Sequence, residues 1–89
     1  MALKSVIRKG DKTSHGGTVT EGLDNHPILG IGIACKGHKV TCPKCLGSYL
    51  IEEGVMNVTI DGLNPAVEGM KTKCGATLIA SQREYQIER

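Results

Sequence analysis

The chain has 89 residues and 9.5 kDa, with no Trp, no Phe, two Tyr and a formal net charge of +2. That length sets one domain, and a chain so short buries only about 60–65% of the surface its unfolded form exposes, so a core lacking large aromatic side chains is thin. Ordinary charge, no basic block and no interleaved aromatic rings argue against nucleic-acid binding, and no apolar run reaches the roughly 20 residues that span a bilayer.

In residues 1–10, Lys4, Arg8 and Lys9 are not followed by an apolar h-region. The segment is not read as a signal peptide, and the chain is expected to be made and kept in the cytoplasm unless a route other than Sec exports it. In that reducing setting Cys35, Cys42, Cys45 and Cys74 suggest metal or redox chemistry before disulfides. A repeat begins at Gly10-Asp11-Lys12-Thr13-Ser14-His15 and recurs as Gly37-His38-Lys39-Val40-Thr41-Cys42 and Gly69-Met70-Lys71-Thr72-Lys73-Cys74. Each copy reads Gly, any residue, Lys, a β-branched residue, any residue, and a side chain able to bind metal. The approaches also align, residues 30–37 with residues 62–69 and, more loosely, residues 5–10.

Between and after the copies the chain reads as short strands. Residues 28–34 are an apolar run interrupted by glycines, and residues 49–51 form a brief strand that ends before Gly54. Residues 55–60, Val-Met-Asn-Val-Thr-Ile, are β-branched and alternating, and Asp61-Gly62 is a strong hairpin-turn pair. Gly recurs too often for a sustained 3.6-residue apolar period, so no helix is expected. Residues 81–89 are the best helical candidate by propensity, but short and polar, and a polar tail or a final strand is the preferred reading. The fold class is all-β, built of short hairpins in three quasi-equivalent units.

Taken literally, three-fold equivalence brings His15, Cys42 and Cys74 together at one end. Cys45 adds a fourth donor through the Cys42-Pro43-Lys44-Cys45 spacing, which lets two thiolates grip one ion from a tight turn. The sum is a closed Cys3His set, structural rather than catalytic, suited to Zn2+ with iron as the less favoured ion. Thiolate binding to zinc contributes on the order of 10 kcal/mol, enough to decide folding of a small chain. Cys35 stands where the third copy has Val67 and reads as a small buried hydrophobe. His38, at the second repeat position, and His26, between copies, compete for the ligand role; the first reads as a surface residue or a neighbour of the site, the second as a turn residue. Lys12, Lys39 and Lys71 are either solvated residues beside a turn or partial neutralisers of thiolate charge. A redox role for Cys42/Cys45, disulfides, and a free-standing zinc-ribbon-like interaction module remain alternative readings of the cysteines. No nucleophile–base arrangement, phosphate loop or paired carboxylate motif is present, so no enzyme is read.

Residues 10–17, 37–45 and 74–81 resemble the PAAR-repeat proteins of the type VI secretion spike. The tetrapeptide that names the family is degraded here: Asn64-Pro65-Ala66-Val67 keeps Pro-Ala, and Ile33-Ala34-Cys35-Lys36 keeps one Ala. The resemblance implies a single PAAR-like domain over residues 1–81 and a short polar tail over 82–89. It implies a small cone of β-hairpins with a metal near the apex, on positions matching His15 and Cys74. Cys42 and Cys45 fall in the matching segment but differ in type from the family's histidines, and His38 stands as a substitute there. It further implies that the base sits on the trimeric valine-glycine repeat protein (VgrG), one copy per trimer, with effector proteins as further partners and the target membrane touched transiently. Export at the spike tip would need no signal peptide. An apolar base is expected around Ile28, Ile31, Ile33, Val58, Ile60 and Leu63, although for any one of them a place in the core is the first reading, and residues 81–89 are too short for an effector domain.

Overall fold

The computed structural model describes residues 3–88. Eight short strands form four antiparallel two-stranded sheets: β1 (Leu3–Ser5) with β8 (Gln86–Glu88), β2 (Lys12–Thr13) with β7 (Leu78–Ile79), β3 (Leu23–Ile28) with β4 (Ile31–Ile33), and β5 (Lys39–Cys42) with β6 (Gly47–Leu50). No helix occurs among the described residues. The all-β reading is therefore correct.

The strand pairs are joined into a ring by hydrogen bonds that repeat three times. Ile7 N–H donates to the Ala66 carbonyl, Ala34 N–H to that of Ile7, and Ala66 N–H to that of Ala34, each at 2.9 Å. All three residues are fully buried, so this closed cycle of backbone bonds lies on the pseudo-three-fold axis. Above it, the hairpins formed by residues 10–19, 37–51 and 69–78 each bond to the next. Thr20 N–H donates to the Lys39 carbonyl and Glu52 N–H to the Lys71 carbonyl, while Ile79 pairs with Lys12 and closes the circle. A closed ring leaves the hairpins without a free lateral edge, the feature that makes open sheets prone to aggregation.

Each copy opens with the same tight turn. Asp11, His38 and Met70 N–H donate to the carbonyls of Arg8, Cys35 and Val67, with φ of 91°, 93° and 93° at Gly10, Gly37 and Gly69. A third residue at positive φ is the type II pattern, which is why the repeat needs Gly there. The second repeat position has a shared role that its varied residue types conceal. Arg8 N–H donates to Asp11 Oδ2 (2.9 Å), Cys35 N–H to His38 Nδ1 (2.8 Å) and Val67 N–H to Met70 Sδ (3.4 Å). His38 is thus one of three acceptors that close a turn.

The core is slim but real. Val19, Ile51 and Leu78 form one buried three-fold layer, and Thr13, Val40 and Thr72 another nearer the hairpin ends. Val6, Ile33, Cys35, Val67 and Met70 pack around the central cycle. Cys35 is fully buried, and burial, then the nearby Asp61 charge, pushes its thiol up to about 11. Arg8 replaces Cys35 and Val67 in the first unit; its guanidinium donates to the Ile28 carbonyl (3.2 Å) and to Ser81 Oγ (2.9 Å).

At the other end each unit continues into a second hairpin. In the first, β3 and β4 meet at Leu29-Gly30, both at positive φ (53° and 84°). In the second, residues 55–60 do not form the expected strand: only Ile60 bridges Leu63, across the expected Asp61-Gly62 turn (φ 53° and 78°). The side chain of Asn64 instead donates to the Val55 and Val58 carbonyls, taking acceptors a partner strand would have used. In the third unit the chain ends supply the hairpin, β8 pairing with β1 through Lys4 opposite Ile87. The segment after Ser81 therefore ends in a strand, with Gln82 buried and donating to the Val6 carbonyl (3.0 Å).

Candidate metal centre

The first and third hairpins end in matching turns. Gly16 N–H donates to the Thr13 carbonyl and Gly75 N–H to that of Thr72, both at 3.0 Å, with φ of 79° and 86° at the glycines. The hydroxyls of Thr13 and Thr72 then accept the N–H of Gly17 (3.1 Å) and Ala76 (3.2 Å). His15 and Cys74 occupy the same place in these turns. In the second copy Pro43 stands where the others have Gly16 and Gly75, and its ring forbids positive φ. The chain runs on through Leu46 (φ 56°) and returns as β6 from Gly47. That longer loop is what admits Cys45.

The three turns bring His15, Cys42, Cys45 and Cys74 together, with one donor atom from each lying within 4.8 Å of all the others. His15 Nδ1 is 3.4 Å from Cys42 Sγ and 3.9 Å from both Cys45 Sγ and Cys74 Sγ. A tetrahedral ion with M–S of about 2.3 Å and M–N of about 2.0 Å separates N from S by about 3.5 Å and S from S by about 3.8 Å. The spacings fit. Cys42 is buried and the other three are partly exposed, and the group lies near one end of the molecule.

The electrostatics of the donors point the same way. Burial works against the Cys74 thiolate, but hydrogen bonds from Thr72 Oγ1 (3.2 Å), Cys42, the Ala76 N–H and His15 outweigh it and bring the thiol down to about 6. Cys45 is pushed up to about 11, first by its hydrogen bond with Cys42, then by burial and by Cys74. One thiol ionises readily and its neighbour resists: Cys45 is held protonated first by its hydrogen bond with Cys42, and repulsion from the neighbouring thiolates adds to this. A cation at their centre removes that conflict.

His38 and His26 lie outside the group. His38 closes its turn, and His26 projects from a bulge in β3, where its Nε2 meets Asp61 Oδ1 at 3.1 Å. Lys12, Lys39 and Lys71 are exposed, and Lys12 Nζ donates to Thr18 Oγ1 (3.2 Å), as solvated residues beside a turn would. Sequence reasoning missed Thr72, which bonds both Cys74 and the turn, and Tyr49, whose hydroxyl donates to the Cys45 carbonyl (2.9 Å). A β-branched hydroxyl two residues before a ligand candidate was the available signal for Thr72.

A closed ring of three hairpins whose turns gather one His and three Cys defines a small, pseudo-three-fold β-structure with a site able to hold a metal ion. The chain belongs to the PAAR-motif family: the family's model matches residues 9–80. That motif marks a domain associated with the type VI secretion spike, in a structural spike-tip family. No curated protein matches the chain. Among the described residues no helix is long and apolar enough to cross a membrane.

Proposed function

We propose that this chain is a non-enzymatic tip of the type VI secretion spike, its cluster holding Zn2+ through His15, Cys42, Cys45 and Cys74. The observation that carries the reading is the coincidence of two features on one axis: the backbone cycle through Ile7, Ala34 and Ala66, and the four-donor group at the hairpin ends. The ion would neutralise thiolate charge and cross-link three turns that share few apolar contacts. Thiolate-rich, four-donor chemistry favours Zn2+, with iron next.

A single chain with internal three-fold pseudo-symmetry suits the end of a three-chain partner, touching each chain in a similar way. The opposite end of the molecule offers the apolar material for this: Leu3 and Leu29 are 60% and 57% exposed, and Ile28, Ile60 and Leu63 are half-buried beside them in the base hairpins. One copy would cap one VgrG trimer, recruit effectors as separate proteins, and leave the cytoplasm with the spike. Mixing purified chain with a VgrG trimer and measuring the mass of the product tests the docking. A complex of one chain per trimer is expected, and no complex at micromolar concentration would refute it. Metal analysis tests the site: one zinc per chain, lost in His15→Ala and Cys74→Ser, is expected, and equal metal in all three proteins would refute it.

A further inference from the structure

The three hairpin ends are not held equally. At the fourth position of the repeat, the hydroxyls of Thr13 and Thr72 accept the N–H of Gly17 and Ala76 and brace their turns from inside. Val40 stands at the same position of the second copy and has no hydroxyl to offer. The first turn is further pinned, because a Cβ at Gly17 would run into the Thr41 carbonyl of β5. The third is held at its donor too, with Thr72 Oγ1 3.2 Å from Cys74 Sγ. Residues 43–46 of the second hairpin are tied by the Tyr49 hydroxyl, which donates to the Cys45 carbonyl (2.9 Å) and restrains the backbone rather than the thiol. That loop carries two of the three clustered sulfurs. Cys42 and Cys45 lie three residues apart across one turn, with their Sγ atoms within 4.8 Å of each other. An open groove lined by Gly16, Thr41, Pro43, Leu46 and Gly47 reaches Cys42, and Cys45 is itself partly exposed.

We propose that Cys42 and Cys45 form an oxidation site, joined by hydroperoxides into an intrachain disulfide, and that this bridge and the metal ion are alternative states of one cluster. The inference rests on the Zn2+ reading of the four donors. One sulfur attacks the peroxide, whose O–O bond breaks to leave a sulfenic acid and, from hydrogen peroxide, one water. The second sulfur displaces the sulfenic hydroxyl, so that the S–S bond forms and a second water leaves. Two thiols thus lose one electron pair to the peroxide and two protons to the waters; metal-bound thiolates draw the same protons from solvent as the ion departs. Disulfide closure needs Cα atoms no more than about 6.8 Å apart, and residues three apart across a tight turn meet that span. Cys74 is the less suited partner, because a bridge to it must draw together two hairpins, and its own turn is braced by Thr72. Exchange among three adjacent sulfurs carries any first bridge to the pair that closes with least strain. What remains is His15 and Cys74, two donors where a structural ion takes four. The new bridge lies within one hairpin and ties no turn to another. Oxidation therefore releases the ion and unlinks the hairpin ends.

Treating the zinc-loaded full chain with a stoichiometric amount of hydrogen peroxide, while a chromogenic chelator reports free zinc, tests this. Release of the bound zinc with a mass lower by two hydrogens is expected, and a dithiol with added zinc should restore both the mass and the unfolding temperature. Trypsin locates the bridge, since cleavage after Lys39, Lys44, Lys71 and Lys73 places Cys42, Cys45 and Cys74 on separate peptides. Residues 40–44 should stay joined to residues 45–71 until reduction. Zinc kept after peroxide, a bridge to Cys74, or a bridge between two chains overturns the proposal and leaves the zinc reading intact. Zinc absent from the reduced chain before peroxide is added overturns that reading, and the proposal with it. Cys45→His keeps a fourth donor but cannot form the bridge, so it should release zinc at least about tenfold more slowly than the parent. Equal release rates overturn the proposal. Cys35→Ala removes the thiol outside the cluster and should behave as the parent does. Slower release in that variant would place the oxidised sulfur elsewhere and overturn the proposal as well.

Discussion

At the hairpin ends, four donor side chains from three turns crowd within 4.8 Å, and the one large aliphatic residue there, Leu46, faces solvent. At the base, the hairpins carry aliphatic side chains partly packed on the core, among them Leu23, Ile28, Val58, Ile60, Leu63 and Ile87. One end depends on cross-linking and the other on burial. The difference follows from geometry: three turns meeting at one point have no interior volume to fill, whereas three diverging hairpins can cover the underlying layer of Val6, Ile7 and Ile33. The two ends should accordingly fail under different perturbations.

The largest effect is expected from removing the cross-link. Cys74→Ser, or a strong chelator, should lower the unfolding temperature by more than about 10 °C, since a structural zinc contributes several kcal/mol and each is worth about 4–8 °C in a domain of this size. Calorimetry with metal analysis checks it; an unchanged transition would remove the basis of the comparison. Ile7→Ala, at the centre of the axial cycle, should cost about 2–5 kcal/mol by loss of buried volume. That loss should appear with and without metal in denaturant titrations. A loss seen only in the metal-loaded protein would show that the two ends are one cooperative unit.

Gly32→Ala is next. A Cβ there would sit 2.8 Å from the Leu23 carbonyl oxygen, and a fixed backbone cannot yield, so about 1–3 kcal/mol of destabilisation is expected. Leu29→Asn should act in the opposite direction. Leu29 holds φ 53° in a two-residue turn that favours Asn-Gly, so stability should rise by about 0.5–1 kcal/mol. If the exposed Leu29 side chain serves docking, the same variant should bind a VgrG trimer less tightly. The smallest effect belongs to Asp61→Asn. Hydrogen bonds from Asn25 (3.0 Å) and then His26 hold the Asp61 carboxyl below its ordinary 3.8. Its contribution is complete above that value and lost as pH falls through the lowered one. The variant should therefore melt slightly below the parent at neutral pH, and the two should converge in acid.

Much of the candidate site was legible because its spacing is local. His15, Cys42 and Cys74 share one place in a six-residue pattern, and Cys45 lies three residues from Cys42. The varied second position was not legible: Asp11, His38 and Met70 have no common residue type, and only the shared distance to the N–H three residues back reveals their common role. The expected strand over residues 55–60 failed for a related reason. Its β-branched pattern is a preference for a pleated, half-buried surface, and Asn64 claimed the carbonyls that would have built the ladder. The thin core implied by the missing aromatics was also too pessimistic, because three-fold stacking lets Val, Ile, Leu, Ala and Thr fill an axis only a few side chains wide.

The sequence by itself determined the unit of construction. A Gly at each turn, a β-branched residue three positions on and a donor two further establish three hairpins with equivalent ends, since only Gly accepts the required φ without strain. Tertiary structure decided what no local pattern carries. It closed the three units into a ring through the Ile7, Ala34 and Ala66 bonds, and paired β1 with β8 as the third base hairpin. Each of these is a relation between residues tens of positions apart, set by which backbone groups and charges meet once the ring has closed.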